Sequence, residues 1–403
     1  MRILFVATRA WPAIGGAEML MRHVSDALAV DHEVSVLALR TDEGPATRLS
    51  NGLTLPPPFD PFEENGVRYS PLVLSGRHRA ALLPLGLQVT PGTRRYAFGR
   101  ARRSAAAVYA AVVGRVIAEQ AAGADIVHTW STDLLGAAGV RAAAIAGARS
   151  VVTPFLHVGQ WGEDPASVQV YKDTDRVIAL LETEKTSLAG LGAPREKVGV
   201  CGACTPGLET GSGARIRESH RIGGPLVVFV GVRRPYKGAD ILQAALPHLR
   251  EQVPDATIAF VGPGEPVHSS PGSGVVDAGA VDPEDLAAWM DAADLLCLPS
   301  AHEIYPTSIL EAWSIGTPVV TSDIPTLTEL MTRSGGGVAV PRDAATLGKA
   351  LGRLLSDPAR LADLGARGQA FWRANGTPAS VAACHVRQYE EVLSADSGHQ
   401  LVA

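Results

Sequence analysis

"DLLCLPSAHEIYPTSILEAWSIGTPVVTS", residues 294–322, reads as strand, loop, helix and strand. The apolar runs "DLLCLP" (294–299) and "PVVTS" (318–322) flank the helical segment "PTSILEAWSIG", which Pro306 opens. The same alternation runs through the chain. "RILFVA" (2–7), "EVSVLAL" (33–39), "DIVHT" (125–129), "SVVTPF" (150–155) and "RVIALL" (176–181) read as strands in the first half. "LVVFVG" (226–231), "TIAFVG" (257–262) and "GVVDAG" (274–279) join the two above in the second. Near-continuous apolar strands separated by helices form parallel sheets covered on both faces. The fold class is therefore α/β, with two doubly wound Rossmann-like domains facing an interdomain cleft. The polar, Gly-rich stretch 207–224 separates the two series as a linker. The expected domains are 1–206 and 225–379, with a last helix at about 380–397 packing back on the first. Ligands of such sheets bind beyond the carboxyl ends of the strands.

At 403 residues the chain calls for two domains. A hydrophobic share of 46% beside 19% charged residues is that of a soluble globular protein. The net charge of -5 gives no reason to expect nucleic acid. No apolar run reaches the roughly 20 residues of a membrane span. The opening "MRILFVATRAWP" lacks the apolar length and cleavage site of a signal peptide, so a cytoplasmic location is expected. Cys201 and Cys204 have CxxC spacing, which serves zinc or redox chemistry elsewhere, but Cys297 and Cys384 complete no second pair. All four are expected as thiols, with no disulfide.

The loops at the strand ends carry the chemistry. Gly15 and Gly16 precede a helix, where bare backbone and free N–H groups suit an anion. Arg233, Arg234 and Lys237 stand between a strand end and a helix start, a place for a diphosphate. The N–H groups of Thr307 and Ser308 would face a phosphate. Glu303 precedes Pro306, and Glu311 lies about 7–8 Å beyond it along the helix axis, so the two carboxylates serve different parts of one ligand. Leu310, Ala312 and Trp313 mark that helix as mostly buried, where an unpaired carboxylate is expensive. Asp173 and Asp175 form an Asp-x-Asp, but at a strand's entrance, which favours a structural role over a metal site. His128 ends a strand, either packed or bordering the cleft.

Together "GGAE" (15–18), "HEV" (32–34), "FVG…YKGAD" (229–240), "AADLLCLPS" (292–300), E-x7-E (303–311) and "GTPVVTSD" (316–323) resemble, in order, the GT-B retaining glycosyltransferases of family 4, glycosyl transferases group 1. The resemblance implies transfer of a sugar from a nucleoside diphosphate sugar to a small-molecule, lipid or glycan acceptor, with retention and no divalent metal or other cofactor. It implies that Glu311 holds the ribose hydroxyls, Glu303 serves the reacting sugar and Lys237 the diphosphate. Gly16 lies by the phosphate and acceptor, and "TPFLHVG" points to His157 as an active-site histidine. The chain departs from the family pattern in three places. Val232 stands where arginine is usual, so the diphosphate arginine is assigned to Arg233, with Arg234 the alternative. "EIYP" replaces "EGFG", and "CGACTPG" replaces an asparagine-glycine turn. An isomerase of the same architecture and a non-catalytic sugar-nucleotide binder are the rival readings. Product formed without acceptor, or no donor consumed at all, separates them. The segment 65–118 is rich in arginine and has no carboxylate. Its part 77–103 is read three ways: peripheral membrane contact, an acceptor pocket, or a solvated face. Donor, acceptor and oligomeric state stay open.

Overall fold

The computed structural model describes residues 1–41, 58–87, 100–270 and 272–395. The chain divides into two compact units, Met1–Gly202 with Val381–Ala403, and Ala203–Ser380.

Unit 1 holds an eight-stranded sheet in the order β3-β4-β2-β1-β5-β6-β7-β8. Its strands are β1 Arg2–Arg9, β2 Glu33–Arg40, β3 Phe62–Glu64, β4 Val67–Pro71, β5 Ile126–Thr129, β6 Arg149–Val152, β7 Arg176–Ala179 and β8 Val198–Val200. Its helices are α1 Gly16–Leu28, α2 Gly76–Leu87, α3 Arg100–Gln120, α4 Asp133–Ala146, α5 Pro165–Asp173 and α6 Glu182–Gly190. In β1 five successive residues, Ile3 to Ala7, are buried, which requires cover on both faces of the sheet. The β3–β4 hairpin is antiparallel. Its turn is Asn65-Gly66, both at positive φ (52° and 77°), the two-residue turn that matches strand twist. The expected strand 150–155 stops at Val152, because Pro154 and then Phe155 at φ 50° leave the extended ladder.

The expectation of four thiols is corrected. Cys201 is bonded to Cys384, 183 residues further on, while Cys204 and Cys297 are free and buried. The last helix, α14 Pro378–Ser394, explains this. From Val381 it belongs to unit 1, where Arg176 Nε donates to Gln388 (2.7 Å) and Tyr389 is hydrogen-bonded to buried His128 (2.7 Å). Cys384 thus comes to the end of β8. Asp175, half of the Asp-x-Asp, accepts from the backbone N–H and hydroxyl of Ser150 (both 2.8 Å), and Asp173 accepts from Gln169 (2.8 Å). Part of the basic segment 77–103 lies outside the described residues. No helix among the described residues is long and apolar enough to cross a membrane.

Unit 2 holds a six-stranded sheet, parallel throughout, in the order β11-β10-β9-β12-β13-β14. The strands are β9 Leu226–Val230, β10 Thr257–Val261, β11 Val275–Gly279, β12 Leu295–Leu298, β13 Val319–Ser322 and β14 Gly337–Val340. The helices are α7 Gly213–Ser219, α8 Ala239–Arg250, α9 Pro283–Ala292, α10 Thr307–Ser314, α11 Pro325–Ser334, α12 Ala344–Leu355 and α13 Pro358–Asn375. The stretch 207–224, expected as a linker, is fastened to this unit. Asp291 accepts from the N–H groups of Gly211 and Gly213 (2.8 and 2.7 Å), and Arg217 pairs with Asp294 (2.6 Å).

Helix α10 is held from behind by Trp313. Its indole N–H donates to the Gly336 carbonyl (2.9 Å), and its ring lies against Gly368 of α13. A Cβ at Gly368 would fall 2.3 Å from that ring. We therefore expect Gly368→Ala to destabilise unit 2 by about 1–3 kcal/mol through overpacking. Denaturant unfolding checks this, and unchanged stability would show that the indole has room to move.

Candidate active site

In unit 2 the strand order reverses between β9 and β12. From β9 the chain continues outward to β10 and β11, and from β12 to β13 and β14. The loops leaving these two neighbours therefore diverge, and a crevice opens at their carboxyl ends. One loop carries Lys237, the other Glu303. The structure brings them together, with Lys237 Nζ 2.6 Å from Glu303 Oε1. The Glu303 side chain is only 8% exposed, so the ion pair is largely withdrawn from water.

Local geometry explains the approach. Gly238 has φ 77°, and a Cβ there would lie 2.3 Å from the Pro299 carbonyl, so only glycine lets the two loops touch. Ala301 N–H donates to the Tyr236 carbonyl (2.7 Å), and Arg342 donates to the Pro299 carbonyl (2.8 Å). Thr326 donates to the backbone carbonyl of Glu303 (3.0 Å).

Helix α10 begins beside this pair. Its N-cap is Pro306, which offers no side-chain cap. The N–H groups of Thr307 and Ser308 make no hydrogen bond among the described residues. They are the open donors that an anion can use. Glu311 follows one turn later. Its carboxylate has no hydrogen-bond partner among the described residues, and burial pushes its pKa up to about 7.

The two arginines behave differently. Arg233, expected to hold a diphosphate, is ion-paired with Asp277 of β11, and its side chain is 6% exposed. Asp277 is held below the usual carboxylate range by that pairing and by the N–H groups of Val267 and Gly279, against a desolvation cost that raises it. Arg234 is exposed beside it.

In unit 1 the order reverses between β1 and β5. Gly16 is the first residue of α1, exposed, with no atom within 4 Å of where a Cβ would stand. His157 is half-buried in the loop after β6, with its ring centroid 3.6 Å from that of Trp161. Glu184 anchors the segment before it. The carboxylate accepts from the N–H groups of Leu156 (2.8 Å) and Leu180 (2.7 Å), and burial pushes its pKa up to about 7. His128 is fully buried, bonded to Tyr389 and Thr153, and burial holds its pKa well below the usual imidazole value. The sequence reading gave no role to Glu18 of "GGAE" and missed Arg9, Arg40 and Trp130, which with it line a cavity of about 130 Å³ at the carboxyl ends of these strands. It also missed Asp277 and Glu184. An isolated charge at a strand end or helix start carries no spacing pattern that would have flagged it.

Two doubly wound units, each with loops gathered at a reversal of strand order, place the protein in the GT-B fold. Solved structures agree. HepE from Anabaena in complex with UDP is 18% identical, with a TM-score of 0.68 over 98% of this chain and 100% of that one. The family model for Glycosyltransferase Family 4 matches residues 14–202, and that for Glycosyl transferases group 1 matches 224–357. The chain belongs to the family 4, group 1 glycosyltransferases. Similar curated proteins include a D-inositol 3-phosphate glycosyltransferase from Xylanimonas cellulosilytica, 30% identical over 53% of this chain and 57% of that protein. A phosphatidyl-myo-inositol mannosyltransferase from Propionibacterium freudenreichii is 31% identical over 33% of this chain and 36% of that protein. The chain thus spans about a third to somewhat over half of these relatives' lengths.

Glu311 sets a pH dependence. Its folded pKa of about 7 lies above the ordinary carboxylate value of 4.5. Between those values the folded protein holds a proton that the unfolded chain releases, so stability falls as pH rises through that window. Glu311→Gln removes the cost. Unfolding midpoints of variant and parent should coincide at about pH 4 and separate by up to roughly 3 kcal/mol in the variant's favour at about pH 8. Equal stability at both pH values would mean that the carboxylate is solvated.

Proposed function

We propose that the protein transfers a hexosyl group from a nucleoside diphosphate sugar to an acceptor nucleophile, with retention at the anomeric carbon. The observation that carries this is the Lys237–Glu303 pair beside the uncapped start of α10, with Glu311 half-buried one turn on. HepE, solved in complex with UDP and with UDP-glucose, supports a nucleotide sugar as the ligand class. Retention rests on the family pattern.

In this reading Glu311 takes the ribose hydroxyls, which supply the partners its carboxylate lacks. The diphosphate lies against the N–H groups of Thr307 and Ser308, with Lys237 and the exposed Arg234. Arg233 shapes the loop through Asp277. Glu303 faces the reacting sugar, where positive charge grows as the glycosidic bond to phosphate breaks. The departing phosphate oxygen helps take the acceptor's proton. Fixed cations and helix N–H groups stabilise the negative charge that develops on the leaving group. His157 is the catalytic candidate of unit 1, and Gly16 leaves space for phosphate and acceptor.

The two glutamates should separate kinetically. Ribose does not change during reaction, so Glu311→Ala should raise KM for donor more than it lowers kcat. Glu303→Ala should lower kcat by about a hundredfold or more and leave binding of free UDP largely intact. Steady-state kinetics with calorimetric UDP titration tests both. Loss of UDP binding in Glu303→Ala with normal binding in Glu311→Ala sinks the assignment.

The charge compensation described needs no divalent ion. Activity should therefore be unchanged in excess chelator. Activity that is lost there and restored by magnesium or manganese would overturn this part of the reading.

A further inference from the structure

Phe155, two residues before His157, has φ 50°, a left-handed backbone that is costly for an aromatic residue. Such strain persists only where the surroundings over-determine it. Three contacts hold this one. The Phe155 carbonyl accepts from the indole N–H of Trp161 (2.8 Å). Its ring centroid lies 6.0 Å from that of Trp130. The next peptide N–H, that of Leu156, donates to Glu184 Oε1 (2.8 Å). The turn has a visible result. Leu156 drops into the core beside Tyr171, Val177, Ala179 and Leu188, at 4% exposure. His157, the next residue, stays half-buried against Trp161. The far end of the loop closes on the same leucine. The Tyr171 hydroxyl donates to the Gly162 carbonyl (2.9 Å), and a Cβ at Gly162 would fall 2.8 Å from Leu156 Cδ1.

Glu184 does more than cap its own helix. It is the third residue of α6, and its Oε2 reaches back to the Leu180 N–H (2.7 Å), much as a capping-box glutamate does. That accounts for one oxygen. The other crosses to the loop beyond β6, the strand next to β7. One carboxylate, 4% exposed, thus ties together the chain leaving two neighbouring strands. No cation pairs with it among the described residues. Its burial is costly, so the two backbone donors that offset the cost must themselves be held in place.

We propose that Glu184 is a positioning residue for His157, holding the strained Phe155–Leu156 turn from which that histidine is presented. That His157 serves catalysis rests on the transferase reading; that Glu184 fixes its place does not.

The test is NMR of the histidine-labelled full chain, with no turnover. The His157 ring resonance is assigned by its loss in His157→Gln, and the ring current of Trp161 displaces it from the position of an exposed histidine. Glu184→Gln keeps the volume and one acceptor but sets an amide donor against the other backbone N–H. It should move the His157 resonance most of the way to the exposed position. Asparagine tolerates the left-handed region, so in Phe155→Asn the turn no longer depends on the fastening. Glu184→Gln added to Phe155→Asn should therefore move the resonance far less. UDP, titrated calorimetrically, should bind the parent and Glu184→Gln equally, because the groups assigned to it lie on unit 2. A resonance unmoved by Glu184→Gln would overturn the proposal, as would a shift undiminished by Phe155→Asn. UDP binding weakened in Glu184→Gln would mark a general folding defect and overturn it too. A parent that fails to bind UDP while Glu184→Gln moves the resonance would remove the donor reading and leave this one standing.

Discussion

Two neighbouring parallel strands whose onward connections run in opposite directions leave nothing between their carboxyl-end loops. In unit 2 those strands are β9 and β12, and the space between their loops is closed by one ion pair, Lys237 with Glu303. At 8% exposure the glutamate would be left as an uncompensated buried charge without its lysine. Gly238, the Ala301–Tyr236 backbone bond and the arm of Arg342 all act to keep that distance short. The pair is thus both a structural fastening and, in the proposed chemistry, two halves of the donor's surroundings.

The rest of the candidate site is made by omission. Asp164, Asp282, Asp343 and Asp357 cap helices elsewhere in the chain by accepting from first-turn N–H groups. The helices that begin at the three loop motifs, α1, α8 and α10, start instead from Gly15, Gly238 and Pro306, with no side-chain cap. A cap is worth about 1 kcal/mol, so each of these helices forgoes some stability. A carboxylate in any of those places would repel the anion that the open N–H groups attract. Asp277 is the exception that fits the rule. It lies near the cations, yet Arg233 and two backbone donors engage it fully.

Much of this was legible in the sequence, for physical reasons that also mark where legibility ends. Strands buried on both faces write themselves as unbroken apolar runs, so β1, β2, β9, β10 and β12 were readable. The β3–β4 hairpin was missed: it has a three-residue arm, and Val67 and Tyr69 alternate with polar residues and so make no apolar run, leaving the Asn65-Gly66 turn as its one signal. β8 has only three residues with Gly199 in the middle, and β14 is half-buried along its whole length, so neither wrote the unbroken apolar run of a fully buried strand. The two glutamates, Lys237 and the opened helix came from spacing, because each sits at a fixed offset from a strand end. Arg233 and Arg234 could not be told apart, since the turn of the loop decides which one meets Asp277. The partner of Cys201 was hidden by sequence distance, and the CxxC spacing drew attention to the wrong neighbour.

That disulfide gives the chain an unusual connectivity. The bond between Cys201 and Cys384 closes a covalent ring, and every residue of unit 2, Ala203 to Ser380, lies inside it. Unit 2 is therefore a lariat loop tethered at both ends to unit 1. It hangs from two strands of chain and not from one flexible hinge. A protease cut inside the ring would linearise it without shedding a fragment, and the severed halves would stay joined through sulfur until a reductant reached them.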